Sequence, residues 1–176
     1  EMKTLYTGSD EALQELLVRV NFSGDNEPKY KDKFKSISKF EEMLHAASNL
    51  SKDPVKGVGS LLLSPVRHKV MALGYNGLPY GMPDAAELLD PEVKNGLMIH
   101  SELNLVANAA ELGVRTSGGI LLCSKASCHI CAGVAVTAGI SEVYTYRSDP
   151  HSDWHHSIML GNAIFEKAGV PVIYFD

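Results

Sequence analysis

The sequence predicts an α/β protein, a three-layer α/β/α sandwich around a mixed five-stranded sheet. Three observations carry that expectation. From about Leu103 onward, short apolar runs alternate with segments of helical periodicity, as strand–helix–strand crossovers require. Ahead of them, two apolar runs flank a tight turn at Ser64-Pro65, so they pair antiparallel and make the sheet mixed. Finally, 176 residues with 45% hydrophobic and 21% charged side chains suit one globular domain. A domain of this size buries roughly 70% of its unfolded surface without needing disulfides or a structural metal.

The elements follow in chain order. Ser9-Asp10 opens a helix carrying Ala12, Leu13, Leu16, Leu17 and Val20 at helical spacing. Residues 21–37 are polar, with Gly24 and Pro28, and read as a linker or mobile loop. The chain thus divides into an N-terminal helix and polar segment, 1–37, and a main domain, 38–176, within what is expected to be one compact unit. Lys29, Lys31, Lys33 and Lys35 alternate with period 2. An extended chain there would put four ammonium groups on one face, as a solvated loop or a phosphate-contacting lid. Ser38-Lys39-Phe40-Glu41 has the capping-box pattern, and Phe40, Met43, Leu44 and Ala47 mark an amphipathic helix that Asp53-Pro54 stops.

Val58–Leu63 and His68–Tyr75 are the two antiparallel strands, with Val70, Ala72 and Gly74 on one face of the second. Asn76-Gly77 ends it. The connection 77–97, with three prolines, is long enough to be functional or to carry a short helix. Leu103, Leu105, Val106, Ala109 and Leu112 mark a helix stopped by Gly113; Ile120–Cys123 is a buried strand. Cys131–Ala138 is a helix stopped by Gly139, and Val143–Tyr146 a strand. Ile158, Leu160, Ile164 and Phe165 mark a last helix, capped by Asp153 and stopped by Gly169, before the strand Val170–Phe175.

Composition excludes several classes. No window approaches the ~18 apolar residues of a membrane span, and Glu1-Met2-Lys3-Thr4 lacks a signal-peptide layout, so a cytoplasmic protein is expected. A net charge of −5 argues against long nucleic acid as a partner. Three cysteines form no disulfide framework and suit a reducing compartment.

The chemistry gathers at two predicted helix starts. His100-Ser101-Glu102 opens one helix and Cys128-His129-Ile130-Cys131 the next, with one strand between them. Thiolates at i and i+3 share a helical face, and a helix N-terminus favours their ionised form. His100, Cys128 and Cys131 give three N/S ligands to zinc, and a three-ligand site keeps one position for water. Glu102, two residues after His100, reaches that water without binding the metal. A redox pair is an alternative reading of Cys-x-x-Cys alone, as is half of a structural zinc site. Cys123 reads as a small buried residue, His129 as pointing away from the metal, and His45 and His68 as surface or packed histidines. His151 and His155 are four apart, but a cap at Asp153 would leave His151 outside the helix. Beyond the fourth strand, His151 lies where ligands of α/β sheets sit and is a ligand-contact candidate.

His-x-Glu followed by Cys-x-x-Cys is the signature of zinc-dependent nucleobase deaminases. The chain resembles the deoxycytidylate (dCMP) deaminases from about Phe40 to Phe175. The shared elements include Ser51-Lys52-Asp53-Pro54, Gly74-Tyr75-Asn76-Gly77-Leu78-Pro79, His100-Ser101-Glu102-Leu103-Asn104 and Ser148-Asp149. It departs at Ser101, where the family usually has Ala, and at Ser127, where it usually has Pro; Ser127 can cap the following helix instead.

The resemblance implies a cytidine-deaminase-like sandwich that converts dCMP to dUMP and ammonia, supplying dUMP for dTMP synthesis. One catalytic Zn2+ per chain would activate the water that attacks C4, with Glu102 moving the protons. It also implies that Asn76 contacts the sugar and that the backbone at Ser101 and Ser127 holds the pyrimidine edge. A homohexamer is implied, activated by dCTP with Mg2+ and inhibited by dTTP, with Tyr75, Asn76, Gly77 and Asn108 as effector contacts. Two other readings stand beside it: a deaminase of another cytosine substrate, free nucleoside or single-stranded nucleic acid, and a non-enzymatic zinc module.

Overall fold

The structure is a computed structural model, and it describes residues 31–83 and 85–175. The helix expected over 9–20, most of the polar segment, and Lys29 and Tyr30 lie outside the described residues. The elements are α1 (Lys31–Ile37), a 3-10 turn (Ser38–Phe40), α2 (Glu41–Ser48), β1 (Gly59–Leu63), β2 (Val70–Tyr75) and α3 (Pro91–Leu97). They continue with α4 (Ser101–Glu111), β3 (Ile120–Cys123), α5 (His129–Thr137), β4 (Glu142–Thr145), α6 (His155–Lys167) and β5 (Val172–Tyr174).

The five strands form one sheet in the order β2-β1-β3-β4-β5. β1 pairs antiparallel with both β2 and β3, while β3–β4 and β4–β5 are parallel. The mixed five-stranded sheet is therefore as the sequence predicts, and each parallel pair is joined through a helix.

Strand alternation divides the core in two. Leu62, Leu121 and Val143 face one side and pack with Leu105 and Ala109 of α4, Ala132 and Ala135 of α5 and Phe165 of α6. Leu61, Leu63, Leu122 and Tyr144 face the other and pack with Ile37 of α1 and with Leu44 and Ala47 of α2. Every residue of β1 and β3 is buried, as a sheet covered on both faces requires. The helices that carry His100 and the cysteine pair thus lie side by side on one face. The positive φ at Gly113 and Gly139, +65° and +79°, ends both, a conformation open to glycine at little cost.

Several local expectations are corrected. Residues 31–37 form helix α1, not an extended strand, so Lys33 and Lys35, two apart, point about 200° from each other instead of sharing a face. Lys33 pairs with Glu142, which ties α1 to the start of β4. Ser38 is no N-cap: a helix already precedes it, and its hydroxyl donates to the Lys35 carbonyl at 3.3 Å. Met43 is 48% exposed, so the buried stripe of α2 narrows to Leu44 and Ala47. Trp154, not Asp153, occupies the N-cap position of α6. The strand ends shrink too, with His68 in the β1–β2 turn and β5 only three residues long.

The connection 77–97 does carry a helix, α3, with Asp90 as its cap (accepting from the Glu92 N–H at 2.9 Å) and Pro91 opening its first turn. Its Lys94 is 5% exposed and places its ammonium 2.8 Å from both oxygens of Asp53. The fold spends this buried pair on holding two loops together. Asp53 also accepts from the Val55 and Lys56 N–H groups and from the Asn76 amide. Burial on its own would push the Asp53 carboxyl up. The Lys94 hydrogen bond and the two backbone donors outweigh it and hold the carboxyl below its usual value.

Candidate active site

Two helix N-termini converge on the site. His100 is the N-cap residue of α4 and Cys128 that of α5, and neither side chain makes a capping hydrogen bond. Giving up a polar cap costs about 1 kcal/mol per helix. Both side chains turn instead toward each other and toward Cys131, one turn into α5. Nδ1 of His100 lies 3.4 Å from the Sγ of Cys128 and 3.4 Å from that of Cys131. One ring proton cannot serve two sulfurs, whereas a central ion can. Zinc bonds of about 2.3 Å to sulfur and about 2.0–2.1 Å to nitrogen imply tetrahedral edges of about 3.5 Å, close to what is observed. The three ligand atoms all lie within 4.8 Å of one another, and two of the three residues are buried. The donor set therefore fits zinc. His100, Cys128 and Cys131 are the group of three or more such ligands found among the described residues.

Close packing fixes this arrangement. A Cβ on Gly74 would lie 2.2 Å from the Ser101 carbonyl oxygen and 2.5 Å from the Leu105 nitrogen, so only glycine lets β2 touch the first turn of α4. A Cβ on Gly161 would lie 2.6 Å from the Ser127 carbonyl oxygen, so α6 likewise rests on the backbone leading into Cys128. Ser60, buried in β1, donates to the Ser101 carbonyl at 2.8 Å. β2 is an edge strand, and Asn104 and Asn108 satisfy its outward backbone: Asn104 Oδ1 accepts from the Tyr75 N–H and Asn108 Nδ2 donates to the Leu73 carbonyl.

The ionisation of the thiols is split. The Cys131 thiol hydrogen-bonds Cys128, and together with the His100 imidazole it outweighs burial and lowers the Cys128 thiol to about 4. Cys131 moves the other way, raised by that same shared proton, by burial and by the Glu102 charge. The hydrogen bond to Cys128 is the main influence raising His100 above its usual value. Cys123 is completely buried, and burial pushes its thiol well up, so it stays a neutral core residue as expected.

Glu102 is 6% exposed and lines the same pocket as His100 and Cys128. Its carboxylate accepts from the Ser101 hydroxyl at 3.1 Å. The pocket, about 360 Å3, opens at the carboxyl ends of the parallel strands β3 and β4, where ligands of open α/β sheets bind. Trp154 forms part of its wall and meets the His100 ring edge-on at 5.3 Å.

The other residues singled out in the sequence are distributed unevenly. Asn76 and Ser101 line the pocket. Both amide hydrogens of Asn76 are used inside the protein, on Asp53 and the Lys56 carbonyl, and its Oδ1 accepts from the Val58 N–H at 2.7 Å. Ser127 is buried just behind the wall; its hydroxyl faces Cys123 Sγ at 3.9 Å and caps no helix, contrary to the expectation. His151 is exposed and lies outside the pocket lining, with its N–H on Asp149 Oδ1. Tyr75, Gly77 and Asn108 are also outside that lining, and the Asn108 amide hydrogens are committed to Leu73 and Asn104. His129 turns away from the cluster toward Ser157, 2.8 Å away. Sequence reasoning missed Lys56, Lys125 and Arg147, which all line the pocket, and missed Trp154 as a wall residue. They come from three loops, with Arg147 and Trp154 on the same one between β4 and α6, and share no motif; only the topology unites them.

The cytidine and deoxycytidylate deaminase zinc-binding region matches residues 35–147. An uncharacterised deaminase in the luxG 3′ region of Aliivibrio fischeri is 28% identical over 142 residues, covering 80% of this chain and 93% of that protein. The deoxycytidylate deaminase of Homo sapiens is 30% identical over 139 residues, 74% of each chain. Among solved structures, a dCMP deaminase from the cyanophage S-TIM5 aligns with a TM-score of 0.64 at 21% identity, covering 80% of this chain and 98% of that one. The match spans most of the described domain and contains the whole His100, Cys128 and Cys131 cluster, so the chain belongs to the cytidine and deoxycytidylate deaminase zinc-binding family.

Proposed function

We propose that the protein hydrolytically deaminates dCMP to dUMP and ammonia. The observation that carries the reading is the buried carboxylate of Glu102 in the same pocket as a three-ligand metal cluster. A structural zinc site is closed by four protein ligands, and this one offers three. Held by His100, Cys128 and Cys131, zinc supplies Lewis acidity that makes water nucleophilic near neutral pH.

The chain's own groups do the rest. Glu102 accepts the proton that the attacking water loses and delivers it to ring N3; it then takes the second proton from the hydroxyl that has joined C4 and passes it to the departing amine. One carboxylate serves in turn as base and acid, a role worth typically about 10²–10⁴-fold in rate. The Ser101 hydroxyl keeps the carboxylate pointed by donating to Oε2. Trp154 screens the His100 side of the pocket from water. Among cytosine compounds, the choice of dCMP is supported by relatives named deoxycytidylate deaminase at 29–30% identity over 74% of this chain.

The test is ammonia release from dCMP, CMP, deoxycytidine and dCTP by the zinc-loaded protein, each with and without dCTP–Mg2+ or dTTP. Turnover of dCMP in preference to the other three supports the reading. Turnover confined to deoxycytidine, or salt-sensitive turnover of single-stranded oligonucleotides, overturns it. Activation by dCTP–Mg2+ and inhibition by dTTP, with hexamers in solution, would extend the proposal to regulation.

A further inference from the structure

Two buried hydroxyls stand behind Glu102, and together they make its two carboxylate oxygens unlike. Ser101, in the first turn of α4, is fully buried. So is Ser60, the one polar side chain of β1, whose other residues are Gly59 and three leucines. The Ser60 hydroxyl donates to the Ser101 carbonyl at 2.8 Å and lies 3.5 Å from the Gly74 carbonyl. The Ser101 hydroxyl donates in turn to Oε2 of Glu102 at 3.1 Å. No described residue hydrogen-bonds the other oxygen, Oε1.

We infer that Ser101, backed by Ser60, is a positioning residue that assigns the whole proton shuttle to one oxygen of Glu102, Oε1. The inference rests on the deaminase reading above and deepens it. The Ser101 hydrogen has a single acceptor in its buried surroundings, Oε2. When Glu102 is ionised, Oε2 accepts. When the proton sits on Oε1, Oε2 is the carbonyl oxygen of a carboxylic acid and still accepts. A proton on Oε2 would meet the Ser101 hydrogen head on. The hydroxyl would then have to turn away and strand its hydrogen in a buried site, which costs more than the bond itself contributes. Ser101 is thus compatible with both protonation states only while the proton travels on Oε1.

The transfers balance on that one oxygen. Oε1 takes a proton from the attacking water as the water oxygen bonds to C4, and gives it to N3. It then takes the remaining proton of the new C4 hydroxyl and passes it to the amine, which leaves as ammonia as the C4–N bond breaks and the C4 carbonyl forms. The side chain needs no rotation between these steps. Ser60 fixes the base of the device. The Ser101 carbonyl belongs to the planar peptide that joins Ser101 to Glu102, so a donor on it holds the plane from which the Glu102 side chain departs. β2 presses on the same oxygen at Gly74.

The experiment compares zinc-loaded wild type, Ser101→Ala, Ser60→Ala, Glu102→Gln and the double variant Ser101→Ala/Glu102→Gln for kcat and KM on dCMP and for zinc content. Ser101→Ala installs the residue usual in the family, so it removes the hydroxyl and leaves the backbone as it was. It is expected to lower kcat by about 10-fold, the worth of one hydrogen bond, with KM and zinc content unchanged. Ser60→Ala should lower kcat by a smaller factor. In the Glu102→Gln background, where the carboxylate is gone, Ser101→Ala should leave the residual turnover unchanged, whereas a structural role for the hydroxyl would act whatever stands at position 102. Wild-type kcat in Ser101→Ala overturns the inference and leaves the deaminase reading intact. So does an equal fold-loss in the Glu102→Gln background, or a loss of kcat that tracks lost zinc. Wild-type kcat in Ser60→Ala removes Ser60 from the device. A wild-type protein that releases ammonia from no cytosine compound overturns the deaminase reading itself, and this inference with it.

Discussion

His100 and Cys128 each occupy a helix N-cap position without capping, and that choice shows where the fold accepts local instability for chemistry. The freed side chains place one imidazole nitrogen 3.4 Å from two sulfurs. The two thiols are coupled: the hydrogen bond between them lowers Cys128 and raises Cys131, so the pair gives up its second proton only at higher pH. Binding zinc to two thiolates must therefore expel the proton the pair still holds, and at lower pH a proton on His100 as well. The sign follows: zinc affinity rises with pH, by about tenfold per unit while one proton is released. Competition with a chelator at pH 6, 7 and 8 measures it, and an affinity independent of pH would contradict the ligand set. Cys131→Ser should lose zinc and activity together. Removing zinc with a chelator should abolish turnover, and one equivalent of zinc should restore it.

At the scale of elements, two packing devices hold the site, and each has its own prediction. Gly74 lets β2 meet the first turn of α4, so Gly74→Ala must push that helix away from β2, because its Ser101 carbonyl oxygen would lie 2.2 Å from the new Cβ. Overpacking of this kind costs about 1–3 kcal/mol, and the shift should also loosen zinc through His100. A variant with wild-type thermal stability and zinc content would show that the contact relaxes freely.

The second device is the pair between Lys94 of α3 and Asp53, with side chains 7% and 5% exposed. Lys94→Ala strands a buried carboxylate and should destabilise by about 3–5 kcal/mol in chemical denaturation. Because folding lowers the Asp53 pKa, its contribution is present above the unfolded value of about 3.9 and is lost as pH falls below it. The stability gap between wild type and Lys94→Ala should therefore narrow below about pH 4.

At the scale of the whole molecule, what could be read in the sequence was what is local. Three strands and three helices of the second half follow from apolar runs and their glycine stops, because their side chains answer only to burial. The His100, Cys128 and Cys131 cluster was legible because each ligand sits at a helix start a few residues from its neighbours in the motif. The lysine alternation misled over 31–35 because alternation in a polar segment records no burial, and there the chain is a helix. Asp153 misled because a good capping residue stands one position too early. The cationic wall of Lys56, Lys125 and Arg147 was not legible at all: three loops far apart in sequence converge only once the sheet order β2-β1-β3-β4-β5 is known.

The central claim is that this pocket uses a metal and one carboxylate to deaminate dCMP. It is tested most directly by measuring dUMP formation and zinc content side by side in the wild type and in Glu102→Gln. The account predicts about one zinc per chain in both proteins and a loss of about 10²–10⁴-fold or more in turnover for the variant. A Glu102→Gln protein that keeps its zinc and still turns over dCMP at the wild-type rate would contradict it.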